Sequence, residues 1–237
     1  MLATLPTVER IMRYWVSTVR PGAVPKITCE RKTTRKEGKI VAQHDFDPEK
    51  LRPADRLYDP DPRNALTAWP DPATGILRPV RASDLHDAVS AFSLHAGVPD
   101  DIAQHFETIK NVYLYSWFIY RFQPVAELQS LACLEFALRE RLANEIRTGK
   151  VRGKRPGLYS LMKYAIEKQM VKNDGFARWV QAEDPDWDLL ASLQKALPEI
   201  RNNYAHGSEN LTPTALGIIE LVCEFINQIF AVPLDTD

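Results

Sequence analysis

The sequence predicts an all-α protein, and three observations lead there. From Ser83 onward, apolar residues recur every three or four positions over several stretches, as one face of a helix requires. Those stretches are joined by short to medium connections, which suits a bundle. Finally, most of the 17 prolines lie in the first hundred residues, so the remainder is largely free of the residue that most disfavours helix interiors.

Composition sets the bounds. At 237 residues, with 45% hydrophobic and 26% charged residues, the chain is long enough for one good core plus an appended region. A formal net charge of -1 argues against coating nucleic acid by bulk electrostatics but leaves room for a local basic site. Cys29, Cys133 and Cys223 are widely spaced and show no disulfide or zinc framework. A reducing, cytoplasmic setting is the expectation. "MLATLPTVERIMRYWVSTVRPG" has no basic start followed by an apolar core, and "VYLYSWFIYRF" is too short to span a bilayer. Neither a signal peptide nor a membrane association is expected.

Taken in order, residues 1–82 are assigned to an N-terminal helix and an irregular, proline-rich region. Within it, "KITCERKTTRKEGKIVAQHDF" has the pattern of a small hairpin, with Glu37-Gly38 near the turn and Ile27, Ile40 and Val41 in the strands. The basic run Glu30–Lys39 reads as a solvated loop or as an RNA-backbone contact. Prolines from Pro48 to Pro79 exclude a long helix there.

Residues 83–231 form the predicted bundle and 232–237 a tail. "SDLHDAVSAFSLHAG" opens on a Ser-Asp cap signal and closes at Gly97. Pro99 and two acids start the next helix, with Ile102, Phe106, Ile109, Tyr113, Trp117 and Tyr120 as its stripe. After a break or first turn at Pro124, "VAELQSLACLEFALRERLANEIRTGK" aligns Leu128, Leu131, Leu138 and Leu142, with Glu135 in the same row. A carboxylate there needs a partner, and Arg201 suits. The alternative is a stripe rotated toward Leu134 and Leu138, with Glu135 at its edge. "GKVRGKRPG" is a basic, glycine-bearing loop, and three further helices follow. The histidines His44, His86, His95 and His105 do not form a metal-ligand set, and neither a catalytic metal nor a cofactor is expected.

The stretch with chemical potential is "ALPEIRNNYAHGSENL". Arg201 carries a permanent fork of donors shaped for phosphate oxygens. His206 titrates near neutral pH and can give or take a proton. Metal-free RNA cleavage requires the 2′-hydroxyl deprotonated, the phosphorane stabilised and the 5′-oxygen protonated; an Arg–His pair meets at least two of these needs. On an ideal helix, residues five apart point about 140° away from each other. Gly207 suggests that the helix ends at or just before His206, freeing the ring; a dimer pairing two motifs is the other solution. Asn202 and Asn203 are helix-end residues or hold the substrate, and Tyr204 packs between helices with its hydroxyl near the site.

"RNNYAH", followed by Gly, resembles the Arg-x4–6-His signature of the HEPN domain, in which a polar residue often follows the Arg. The resemblance covers the helical part and includes the preceding "LACLEFALRERL". It implies a four- to five-helix bundle, a homodimer and a metal-independent endoribonuclease of toxin–antitoxin, abortive-infection or other anti-phage defence systems, with an antitoxin or activator as partner. It implies catalytic roles for Arg201 and His206, support from Asn202, and a 2′,3′-cyclic phosphate product. Arg139 and Arg141 are read as a solvated face or RNA-backbone contacts, as are Arg152, Lys154 and Arg155. Two other functions compete: a non-catalytic HEPN-like RNA- or protein-binding assembly module, and a helical adaptor that only binds a nucleotide or phosphate.

Overall fold

A computed structural model describes residues 46–71, 73–182, 186–206, 211 and 214–231. The N-terminal helix, the hairpin expected around Glu37-Gly38, Cys29, His44 and the tail lie outside the described residues. Those described form an all-α fold with one small hairpin.

That hairpin lies in the proline-dense segment, which was expected to be irregular throughout. Strands β1 (Ala68–Pro70) and β2 (Leu77–Pro79) pair antiparallel, Trp69 opposite Arg78. Asp71 makes the turn, accepting from the amides of Ala73 and Thr74 at 3.1 and 3.2 Å, and Gly75 supplies a φ of 70°. Pro70 and Pro79 lack the N–H that would extend the ladder. Upstream, Asp61 and Asn64 clasp the chain to the bundle: the Asp61 amide and Asn64 Nδ2 both donate to the Trp117 carbonyl.

Helix α1 spans Ala82–Ser90. Its N-terminal signal works through Asp84, whose carboxylate accepts from the Arg81 amide at 2.7 Å and pairs with both Arg78 guanidinium nitrogens. The helix stops well before Gly97, which instead precedes α2 and donates its amide to His95 Nδ1 at 2.9 Å. Helix α2 (Asp100–Tyr115) follows Pro99 and buries Ile102, Phe106, Ile109 and Tyr113. Trp117 and Tyr120, expected on the same stripe, fall in the turn beyond its end.

The centre of the fold is α3 (Phe122–Arg141), packed against α2 and α8 (Ala215–Ala231), and against α5 (Leu158–Glu167) and α7 (Leu189–Ala205). A helix with neighbours on so many sides must bury most of its circumference. Its buried set accordingly runs from Gln123 through Ala126, Glu127, Leu131, Leu134 and Leu138 to Arg141. The rotated stripe is the one that forms, and Leu128 is only half-buried. The expected long helix breaks at Leu142, giving a short α4 (Ala143–Arg147), and an unforeseen short α6 (Ala177–Gln181) precedes α7. Helix α8 is apolar on most of its surface and burying it supplies Ile218, Ile219, Val222, Phe225, Ile226 and Ile229 to the core. Cys133 and Cys223 are both buried free thiols. None of the helices among the described residues is long and apolar enough to cross a membrane.

Candidate functional site

Helix α7 begins at Asp188, whose carboxylate accepts from the Ala191 amide at 3.0 Å. Leu189, Leu190, Leu193, Ala196 and Leu197 face the core, and the stripe continues through Ile200 to the half-buried Tyr204. Pro198 lies inside the helix without ending it. Helical structure stops at Ala205, with His206 as the C-cap at φ -95° and ψ 9° and its amide bonded to the Asn202 carbonyl at 3.0 Å.

The burial stripe sorts the motif residues. Tyr204 points inward. Arg201 sits beside that stripe, 39% exposed, and reaches α3, where its Nη2 lies 3.3 Å from Glu135 Oε2. Asn202 and Asn203 are exposed; Asn202 Oδ1 is 3.5 Å from Arg201 Nη1, a marginal contact. His206 is exposed, and its ring makes no hydrogen bond to the described residues.

Glu135 occupies the edge of the α3 stripe, only 14% exposed, and bridges two arginines. Its other oxygen accepts from Arg139 Nη2 at 2.8 Å, and the same nitrogen donates to the Pro156 carbonyl at 2.7 Å. This chain of contacts joins the end of α7 to the basic loop before α5. The loop is anchored by buried Val151 and Pro156, and Gly153 turns it at φ 108°, where a side chain would be strained. Between the anchors, Arg152, Lys154 and Arg155 are exposed. Two arginines on one carboxylate, beside a loop of three further cations, leave a net positive surface suited to phosphate.

Arg141 does not belong to that surface. It is 8% exposed and its Nε donates to the Ile229 carbonyl at 2.7 Å, near the C-terminus of α8. Expected on a solvated face, it is drawn inside because the rotated stripe carries it toward the unsatisfied carbonyls at that helix end.

Glu127 is the functional candidate that sequence reasoning missed. It is 1% exposed on α3, accepts from Thr214 Oγ1 at 2.5 Å, and accepts from the hydroxyl of Tyr204. Burial pushes its carboxyl up to about 7, against the opposing effect of those two hydrogen bonds. The available signal was the rotated stripe itself, which runs Glu127, Leu131, Leu134, Leu138. Among the described residues no group of three or more His, Cys, Asp or Glu is placed to hold a metal ion. His95 is tied to the Asn227 carbonyl and the Gly97 amide, and His105 contacts Gln129.

Neither protein-family models, nor curated proteins, nor solved structures match this chain. Geometry and motif are what bear on function.

Proposed function

We propose that the protein is a metal-independent endoribonuclease of the HEPN type, acting as a homodimer in a toxin–antitoxin or anti-phage defence setting. The observation that carries this reading is the end of α7: a solvent-facing His206 at the C-cap, one and a half turns from an Arg201 that borders a basic surface. In the proposed reaction the 2′-oxygen attacks phosphorus, the bond to the 5′-oxygen breaks, and a 2′,3′-cyclic phosphate forms. His206 transfers a proton at one of the two oxygens. Arg201 faces the negative charge that grows on the phosphorane. Arg139, Arg152, Lys154 and Arg155 hold flanking phosphates, and the exposed Asn202 and Asn203 contact the nucleotide. The partner motif across the dimer axis supplies the proton transfer that one His206 cannot.

Glu135 supports a second reading. By sharing Arg201 with Arg139 it draws off part of the charge that catalysis would use, which favours an RNA-binding module that does not cleave.

Incubating the protein with mixed cellular RNA in excess EDTA, beside the His206→Ala and Arg201→Ala variants, separates the two. Cleavage by the parent alone, with cyclic phosphate ends, is the expected result. Binding without cleavage by all three overturns the nuclease in favour of the module.

A further inference from the structure

Glu127 occupies a position where Leu would continue the stripe at no electrostatic cost, whereas a carboxylate buried there must find hydrogen-bond partners. Its two partners lie far away in sequence. Tyr204 is two residues before His206 on α7, and Thr214 immediately precedes α8. One oxygen serves each, so a single side chain in the core of α3 ties together both flanks of the chain that carries the imidazole. Tyr204 has its ring on the inward stripe of α7, and its hydroxyl therefore fixes the rotation of the last helical turn. Thr214 is 9% exposed, so its bond is also shielded from water.

We infer that Glu127 is a positioning residue for His206, clasping Tyr204 and Thr214 so that the imidazole at the helix end keeps one orientation. This rests on the proposed nuclease for its catalytic consequence but not for its structural one. The carboxylate touches no substrate; it acts through the hydroxyl of Tyr204 and the backbone between that residue and His206. The position asks for two acceptor oxygens on one rigid group. Gln supplies only one and aims its amide N–H₂ at one of the two hydroxyls.

The test uses Tyr204→Phe, Thr214→Val and Glu127→Gln in the full chain, with two readouts. In NMR, the His206 imidazole signals are identified as those missing from the His206→Ala spectrum. In Tyr204→Phe and Glu127→Gln they are expected to shift or broaden, while those of His86, His95 and His105 stay in place. In RNA cleavage under EDTA, kcat is expected to fall by about tenfold with KM within about twofold, because orientation rather than binding is lost. Folded Tyr204→Phe protein whose His206 signals and kcat both match the parent overturns the inference. A parent that cleaves no RNA overturns the nuclease instead, and the NMR comparison still decides the clasp. Should Glu127→Gln fail to fold, the two hydroxyl deletions carry the same test.

Discussion

Two glutamates one side of a helix apart have opposite fates. Glu135, placed by the heptad pattern in the seam, sits at its edge and pairs with Arg201 and Arg139; Glu127, overlooked, lies in the core. The difference should be visible in pH dependence. The Glu127 carboxyl lies at about 7 in the folded protein against its usual 4.5, so between those values the folded state binds more protons than the unfolded. Its stabilising contribution is whole below about 4.5 and is lost as pH rises through about 7, a loss on the order of 3 kcal/mol. Glu224, raised by burial to about 7 as well, acts in the same direction. Urea denaturation across that window should show stability falling with pH, and Glu127→Gln should flatten the fall. An unchanged slope in the variant would mean that Glu127 is solvated. Asp61 behaves oppositely: burial pushes its carboxyl up, but the Arg63 guanidinium and the Tyr120 and Arg63 amides outweigh this and hold it below the usual range. Its contribution is present above the normal carboxylate value and lost as pH falls.

At the scale of elements, Pro198 interrupts α7 three residues before Arg201. It leaves the Gln194 carbonyl without its helical donor and its ring crowds the same turn. Pro198→Ala should therefore stabilise the fold by about 1–3 kcal/mol in denaturant unfolding, while redirecting the last turns of the helix and lowering any RNA cleavage. The clasp between the proline-dense segment and the α2–α3 turn is a second such case. Asp61 is 1% exposed and accepts from Arg63 at 2.8 Å and from the Tyr120 amide at 2.9 Å. Asp61→Ala leaves the Arg63 guanidinium with Glu49 and the Pro48 carbonyl but takes the acceptor from the Arg63 and Tyr120 amides, and should cost about 2 kcal/mol. Hydrogen exchange at the Tyr120 amide should speed up with it. Exchange at the parental rate would show that the segment is held by its other contacts.

For the whole molecule, a formal charge of -1 coexists with cations gathered along one chain of contacts, from Arg201 through Glu135 and Arg139 to the loop at Arg152, Lys154 and Arg155. Local charge can therefore dominate any contact with phosphate despite the near-neutral total. Each phosphate contact on single-stranded RNA contributes about 0.7 to the slope of log K against log salt. Replacing the three loop cations with Ala should lower that slope by about 2 in a fluorescence titration with single-stranded RNA. Replacing Arg141 adds nothing to this effect, since it caps α8 from inside the fold; an equal change in slope from Arg141→Gln in folded protein would place it on the binding surface after all.

The sequence by itself determined the helical class, the start of α2 at Pro99 with its buried Ile102, Phe106, Ile109 and Tyr113, and the end of α7 at the motif. These follow from spacings of three and four, from acids and proline at a helix start, and from glycine beyond a helix end, all of which act within a few residues. Tertiary structure decided the rest. Periodicity could not orient α3, because a helix packed on most sides has no single polar face to mark its outside. Leu128 and Leu134 were thus equally good guides, and with the wrong one Glu127 was missed and Arg141 was put in solvent. The hairpin at Trp69 and Arg78 was hidden by prolines that only end strands this short. The bond from Tyr204 to Glu127 spans 77 residues and that from Thr214 spans 87. No local rule reaches so far; only packing α7 and α8 against α3 brings those oxygens together.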